Sequence, residues 1–370
     1  LEVIDTISSY YNSYAANVHR ALYSIGEKAT DEYENVRLLV KKMLNVPDSH
    51  SVIFTSGTTE SINLIAYSWG LKNLKKADNV LITEMEHHSN IIPWQLITKK
   101  TNSSLNYIPL SNNGTLNTES MNEQLLSSTK IISISHQSNV FGTINPIKNI
   151  IDKAKSMDIL TLIDGAQAVP HLKVNLAELD SDFYVFSGHK MLGPTGVGVL
   201  IGRNELLEEM EPFLGGGEMI NKVNMHESTW NEIPWKFEAG TPKVAQVIGL
   251  GAAIKYLMNI GLENIHNHEQ GLLQYALDIL EQNENIILYG NPPERGAVIP
   301  FNLKNIHAHD LAKFLDLDGI CIRAGHHCAQ PIMDYLNVSS TARISMNIYN
   351  DENDIDILAA GIKKTISTLN

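Results

Sequence analysis

The sequence predicts an α/β protein: a large domain built on a seven-stranded, mostly parallel sheet, followed by a smaller C-terminal α/β domain. Three observations lead there. Seven short apolar runs, at 51–55, 79–83, 105–110, 130–135, 159–164, 182–187 and 197–202, are separated for the most part by helix-period patterns, and such alternation argues a parallel sheet covered by helices. The chain has 370 residues, more than one hydrophobic core usually serves. From residue 286 a second, smaller alternation begins. The division is placed at 1–256 and 257–370.

In chain order, Val3, Ile4, Ile7, Tyr10 and Tyr11 mark an N-terminal helix, and Asn17-Val18-His19-Arg20 is a polar turn. A long amphipathic helix is expected over 29–44, then helices at 58–73, 90–101, 117–127 and 146–157. Pro146 falls near the last one's first turn, where proline is tolerated. The pattern loosens through Gly215-Gly216-Gly217 and the stretch 230–237 that holds two tryptophans. Helices follow at 243–260 and 262–282. The smaller unit reads as strand 297–303, helix 309–316, strands 319–323 and 342–348, and a final helix 351–368.

A net charge of −13 without Lys/Arg runs lacks the electrostatic footprint of a nucleic-acid binder. No apolar segment is long enough to span a bilayer, so no membrane partner is expected. The two cysteines, Cys321 and Cys328, make no disulfide framework and suit a reducing compartment. The cytoplasm is the expected location. An organelle becomes possible if a targeting segment has been removed, since the sequence begins at Leu1 without an initiator Met.

The chemistry centres on residues 182–199, DFYVFSGHKMLGPTGVGV. A buried strand stops at Ser187-Gly188-His189-Lys190, which points an amine into the crevice at the strand ends, where open α/β sheets bind ligands. A surface lysine is the bland reading, and its companions decide against it. Asp164 ends another buried strand, and Ser56-Gly57-Thr58-Thr59 opens a helix. An aspartate that keeps a pyridine nitrogen protonated, a Schiff-base lysine and a phosphate turn together describe a pyridoxal phosphate site. Alone, Asp164 would read as a helix cap and SGTT as an ordinary turn.

His87 follows the strand 79–83 and can stack on a cofactor ring or cap a helix; the sequence leaves both open. Asn139 is a ligand for cofactor or substrate, or a loop asparagine. Cys328 lies among turn residues and two histidines, an exposed setting that favours thiolate. Cys321 sits in the apolar run 319–323 and reads as core. Arg343 is placed to pair with a substrate carboxylate, or to form a structural ion pair. His326, His327 and Cys328 with His307 and His309 offer only one plausible thiolate for zinc, so no metal of the chain's own is expected.

The sequence resembles the SufS-type, group II cysteine desulfurases of the class V aminotransferase superfamily, which have the fold type I architecture of pyridoxal-phosphate-dependent transferases. The resemblance runs the length of the chain and rests on SGTTE (56–60), MEHHSN (85–90), SNVFGT (138–143), DGAQA (164–168), SGHKMLGPTG (187–196), FEAGTP (237–242) and RAGHHCAQP (323–331). It implies that Lys190 is the Schiff-base lysine, Asp164 pairs with the pyridine nitrogen, Gln167 bonds the ring oxygen and His87 stacks on the ring. Thr58, Ser187 and His189 would hold the phosphate, with Thr241 reaching over from the partner in a homodimer. Asn139, Arg323 and Arg343 would hold the substrate, and His19 and Arg20 would lie near the neighbouring subunit's site. Cys328 would take the sulfur of L-cysteine as a persulfide for iron–sulfur cluster assembly. His309, at a helix start and expected to be neutral there, matches a histidine that ligates the zinc of a SufU-type acceptor; a SufE-type acceptor is the alternative.

Two departures stand out. A small-residue-rich segment that precedes the first helix in the family is not in the sequence, and Ser56 replaces a common arginine. The rival activities are a selenocysteine lyase or cysteine sulfinate desulfinase, for which Cys328 would matter less. The rival from another class is a nucleotide- or metal-binding α/β protein with SGTT as a plain phosphate turn.

Overall fold

A computed structural model describes residues 1–20 and 22–369; Ala21 and Asn370, which the two domain ranges include, lie outside the described residues. The large sheet contains β1 (His50–Thr55), β2 (Asn79–Thr83), β3 (Ser104–Ile108), β4 (Thr129–Ser135), β5 (Leu160–Asp164), β6 (Phe183–Ser187) and β7 (Gly198–Arg203), in the order β1-β7-β6-β5-β4-β2-β3. All seven runs predicted as strands are therefore in one sheet. Only β7 runs against its neighbours; it pairs antiparallel with both β1 and β6. Val52, Ile53, Leu162, Ile163, Phe183 and Val185 are fully or almost fully buried on its two faces, which is why these strands read as continuous apolar runs.

The reversed strand shapes the site. Gly198, at the start of β7, is opposite both Thr55 and Ser187, the last residues of β1 and β6. A side chain there would meet the Gly57 backbone, whose Cα lies 2.3 Å from the place of a Cβ. Glycine lets the Ser56–Thr58 turn sit flat on the sheet edge. The helix predicted over 58–73 is an α-helix, Thr58–Ile65, a π-turn, Ala66–Gly70, and a last turn, Leu71–Asn73.

A hairpin of β8 (Ile220–Val223) and β9 (Ser228–Trp230) was not foreseen. Its residues are nearly all exposed, so no alternation of apolar and polar residues marks it. The helix Val244–Ile260 packs on the helices Glu2–Ser13 and Ser24–Leu44, and Gly261 (φ 90°) turns it into Leu262–Leu280. Among the described residues no single helix is long and apolar enough to cross a membrane; that pair is bent by 74°. The division at 256/257 falls inside the first of the two.

The second sheet has β10 (Ile286–Leu288), β11 (Val298–Leu303), β12 (Arg323–Gly325) and β13 (Thr341–Ser345), in the order β10-β11-β13-β12 with every pair antiparallel. The helices Ala308–Asp316 and Glu352–Leu369 pack together beside it. The sequence reading placed a strand at 319–323 and buried Cys321 in it. The structure corrects both points. The strand begins at Arg323 and is an edge strand, and Cys321 lies before it and is exposed. Gly319 (φ 76°) turns the chain, which delays pairing. A short helix, Gln330–Leu336, was missed because Cys328-Ala329-Gln330-Pro331 reads as turn, although Pro331 occupies the first helical turn.

Candidate active site

The carboxyl ends of the strands carry the first half of the site. Thr58, at the start of its helix, donates its backbone N–H to Ser187 Oγ at 2.9 Å, and the two hydroxyls are 2.8 Å apart. Two hydroxyls and a helix N-terminus thus converge on one point. Ser56 is tied back to the Glu60 carboxylate through its N–H and hydroxyl. His189, on the short 3-10 turn after β6, is exposed, and Lys190 beside it is half-buried.

Asp164 ends β5 and is 6% exposed. Its carboxylate accepts the Ala166 N–H at 2.9 Å. Burial raises its pKa, while Lys190 and that N–H hold it down. Lys190 is shifted the other way: burial lowers its pKa, Asp164 opposes this, and Arg343 and Arg323 lower it further. The lysine is thus within electrostatic reach of Asp164 on one side and of the Cys328 loop on the other. Gln167 is half-buried in the turn that follows Asp164. Behind that turn Tyr184 lies so close under Gly165 that a Cβ there would be 2.5 Å from its hydroxyl. His136 Nδ1 is 2.8 Å from the same hydroxyl, and its backbone N–H donates to the Asp164 carbonyl.

His87 follows β2 and caps the short turn after it, one of the two readings the sequence left open. Its Nδ1 accepts the Ser89 N–H at 3.1 Å as a cap, and it lies within electrostatic reach of Lys190. Burial pushes its pKa down to about 4, with the Lys190 charge adding to the shift, so the ring is neutral. Glu86 anchors this segment from below. It accepts from Thr83, from the N–H and hydroxyl of Ser135, and from Asn90. Burial raises its pKa to about 7 against those donors.

The second half is the loop between β12 and the helix Gln330–Leu336. His327 and Cys328 both have left-handed backbones, φ 54° and 57°, each costing about 1 kcal/mol or more for a residue with a side chain. Contacts from the large sheet hold them there. Asn139 Nδ2 donates to the His327 carbonyl at 2.7 Å, and His88 donates its N–H to the Cys328 carbonyl at 2.7 Å. The His327 ring meets the Thr341 hydroxyl at 2.9 Å. Burial and the two arginines push its pKa down to about 3. Arg323 Nη2 donates to Cys328 Sγ at 3.4 Å. Arg343 Nη1 donates to the Asn139 carbonyl at 2.7 Å, while its Nε and the His327 Nδ1 have no protein partner. Cys328 is half-buried and Cys321 exposed, the reverse of the contrast expected from sequence. What distinguishes Cys328 is its neighbours.

Lys190, Asp164, His87, Asn139, Arg323, Arg343 and Cys328 come together, with Thr58, Ser187, His189 and Gln167 on the strand ends beside them. Four predicted residues lie elsewhere. His19 and Arg20 bind Glu218, at 3.4 and 2.8 Å, and His19 also meets Glu34 at 2.9 Å. Thr241 is exposed beside a cavity shared with Thr55, Glu60 and Glu238. His309 is exposed on the second small-domain helix residue, its N–H bonded to His307 Nδ1 at 3.2 Å. Sequence reasoning passed over Glu86, His88, His136 and Tyr184. The first two lie inside a motif quoted above, His136 just follows β4, and Tyr184 is on a strand that reads only as core.

The donor set fits pyridoxal phosphate from end to end. A buried carboxylate suits a protonated ring nitrogen, a lysine of lowered pKa suits the aldehyde, and paired hydroxyls at a helix N-terminus suit the phosphate. The aminotransferase class-V family matches residues 1–358. A protein of Halalkalibacterium halodurans named "Probable cysteine desulfurase" is 50% identical over 99% of this chain and 90% of its own length. A protein of the same name from Staphylococcus aureus is 49% identical over 99% of this chain and 89% of its own. Among solved structures, a cysteine desulfurase of Thermococcus onnurineus superposes with a TM-score of 0.95 at 34% identity, covering 99% of this chain and 91% of that one. A cysteine desulfurase of Escherichia coli, in an S-sulfonic acid form, superposes with a TM-score of 0.93 at 34% identity over the same shares. With the fold, the donor set and these likenesses in agreement, the chain belongs to the class-V aminotransferase family, among its cysteine desulfurases, and is a pyridoxal-phosphate-dependent enzyme.

Proposed function

We propose that the enzyme takes sulfur from L-cysteine onto Cys328 and releases L-alanine. One observation carries this reading: Asn139 and His88, from the large domain, grip the Cys328 loop at the residues before and after the thiol and hold it within electrostatic reach of Lys190. Asp164 would hold the ring nitrogen, Gln167 the ring oxygen and His87 the ring face. Thr58, Ser187 and His189 would hold the phosphate. Bound there, pyridoxal phosphate supplies an electron sink for charge developing at the substrate Cα.

The chain's own residues do the rest. Arg343, whose Nε is unpartnered and whose pKa burial brings down to about 10, awaits an anion. With Arg323 and Asn139 it would orient the substrate carboxylate. Lys190 Nζ, its pKa lowered, would take the Cα proton. The Cys328 sulfur then attacks the substrate sulfur. An S–S bond forms and the substrate Cβ–S bond breaks, its electron pair staying with carbon, which takes up a proton to become the methyl of alanine. Thiol plus cysteine gives persulfide plus alanine, with no outside oxidant or reductant.

The reading extends to a homodimer in which His19, Arg20 and Thr241 serve the neighbouring site. It extends to SufS-type sulfur supply for iron–sulfur clusters in the cytoplasm, with a SufU-type acceptor whose zinc His309 would engage, or else a SufE-type one. Exposure of His309 supports the first. Incubation with L-cysteine tests the core of it. The expected products are equal amounts of alanine and persulfide, with mass spectrometry placing the persulfide on Cys328. Cys328→Ala should bind the cofactor, keep the absorbance change on adding L-cysteine, and form no persulfide. A persulfide on Cys321, or undiminished alanine formation by Cys328→Ala, would sink the proposal.

A further inference from the structure

We infer that His88 is the positioning residue for the Cys328 sulfur, clamping the loop with its main chain and its ring at once. This rests on the reading of Cys328 as the nucleophile. His88 holds the loop at two points just after the Cα that carries the thiol. Its backbone N–H donates to the Cys328 carbonyl at 2.7 Å, and its Nε2 accepts the Gln330 N–H at 2.9 Å.

Both bonds meet backbone groups that the loop does not satisfy by itself. The His326 carbonyl is taken by the Ala329 N–H and the Ala329 carbonyl by the Ile332 N–H. The His327 carbonyl goes to Asn139. The Cys328 carbonyl and the Gln330 N–H are met by His88. Gln330 opens the following helix, and its N-cap, Ala329, has no side-chain cap. The imidazole of His88 supplies that acceptor from across the interface. With φ of 54° and 57°, His327 and Cys328 would gain by relaxing toward ordinary backbone. Any such relaxation rotates the Cys328 carbonyl and swings the thiol away.

The bond to Gln330 also selects the ring state. Nε2 can accept only when it is unprotonated, which puts the ring proton of neutral His88 on Nδ1. His87 and His326 stand beside it, and neither adds negative charge. Burial and His326 lower its pKa in keeping with this. The adjacent histidines therefore divide the work. His87 lies within electrostatic reach of Lys190, and His88, its ring 6.3 Å from that of His87 and inclined at 51°, turns to the sulfur loop.

The test compares His88→Ala and His88→Gln holoenzymes in single turnover with L-cysteine. Glutamine offers a carbonyl oxygen that can take the Gln330 N–H. His88→Ala should keep its cofactor spectrum, its absorbance change on cysteine addition and its KM within about threefold, while persulfide forms on Cys328 roughly tenfold to a hundredfold more slowly, the scale of a small misplacement of a reacting group. His88→Gln should recover most of that rate. The inference is overturned by a wild-type rate in His88→Ala, by loss of the cofactor spectrum in that variant, or by His88→Gln failing as badly as His88→Ala. Wild-type enzyme mapped in parallel separates the two readings. A persulfide away from Cys328 brings down both, whereas one on Cys328 with His88→Ala at full rate brings down only the clamp.

Discussion

Arg37 and Arg343 are both arginines taken largely out of water, and their surroundings differ in kind. Arg37, on the helix Ser24–Leu44, gives Nε and Nη2 to the two oxygens of Glu34 at 2.8 and 3.0 Å, and Nη1 to Glu238 at 2.8 Å and to the Val52 carbonyl at 2.6 Å. Glu238 in turn accepts from the Phe54 N–H and the Tyr33 hydroxyl. Every charge there is answered, and the carboxylates hold the Arg37 pKa above its ordinary value. Arg343 has one carbonyl partner, a free Nε and a second arginine nearby, and its pKa falls to about 10. A closed network of buried charge joins parts of a fold. An open one, with donors aimed at nothing in the protein, is arranged for an anion that arrives.

The largest expected effect comes from breaking the open region at its centre. Lys190→Ala should remove the base, and desulfurase activity should fall by roughly a thousandfold or more. Borohydride reduction should no longer attach the cofactor covalently to the protein. Unfolding midpoints should move little, because burial already weighs against the charged lysine. A cofactor still reductively attached in this variant would place the Schiff base on another lysine.

Breaking the closed region should do the opposite. Arg37→Leu leaves Glu34 and Glu238 in the interior without their cation, and a loss of about 3–5 kcal/mol in unfolding free energy is expected. The activity of the molecules that remain folded should be near that of the parent enzyme. Denaturant titration and an assay at low temperature check both halves. A stable but inactive Arg37→Leu protein would show that the network reaches the site, and the contrast between the two regions would fail.

How far the two regions could be read from sequence follows from how each is encoded. Lys190, Asp164 and Thr58 end apolar strands, so a local pattern announces them, and all seven large-sheet strands were legible for the same reason. The Arg37 network joins residues about 200 positions apart, Arg37 to Glu238, and no local pattern marks such a pairing. Cys321 misleads because the short apolar run Ile320-Cys321-Ile322 reads as a buried strand whether or not a neighbour pairs with it. His88 was hidden by its setting, since its role lies in a contact with Gln330, 242 positions on. Tyr184 reads as core and His136 goes unmarked after its strand, because nothing in the local pattern says that an imidazole and a phenol meet behind a carboxylate.

Acid should separate the two regions, and His136 is the place to see it. Burial holds His136 neutral, with a pKa near 4 against an ordinary 6.5. The unfolded chain therefore binds this proton first, so the stability that neutral His136 contributes is present above pH 6.5 and lost as the pH falls toward 4. His87 and His327, also depressed, act with the same sign. Glu34 is a depressed carboxylate, about 2 against 4.5, so its contribution survives to pH 4.5 and is lost only below it. The site side should weaken first and the Arg37 side afterwards. His136→Gln can still meet the Tyr184 hydroxyl but takes up no proton. Between pH 6.5 and 4.5 its unfolding free energy should fall less steeply than that of the parent, by about 2 kcal/mol over the interval after allowance for screening. Urea titrations at half-unit steps would measure the difference. Parallel curves for the two proteins would mean that His136 does not carry this part of the acid loss, and the order in which the two regions give way would have to rest on His87 and His327 alone.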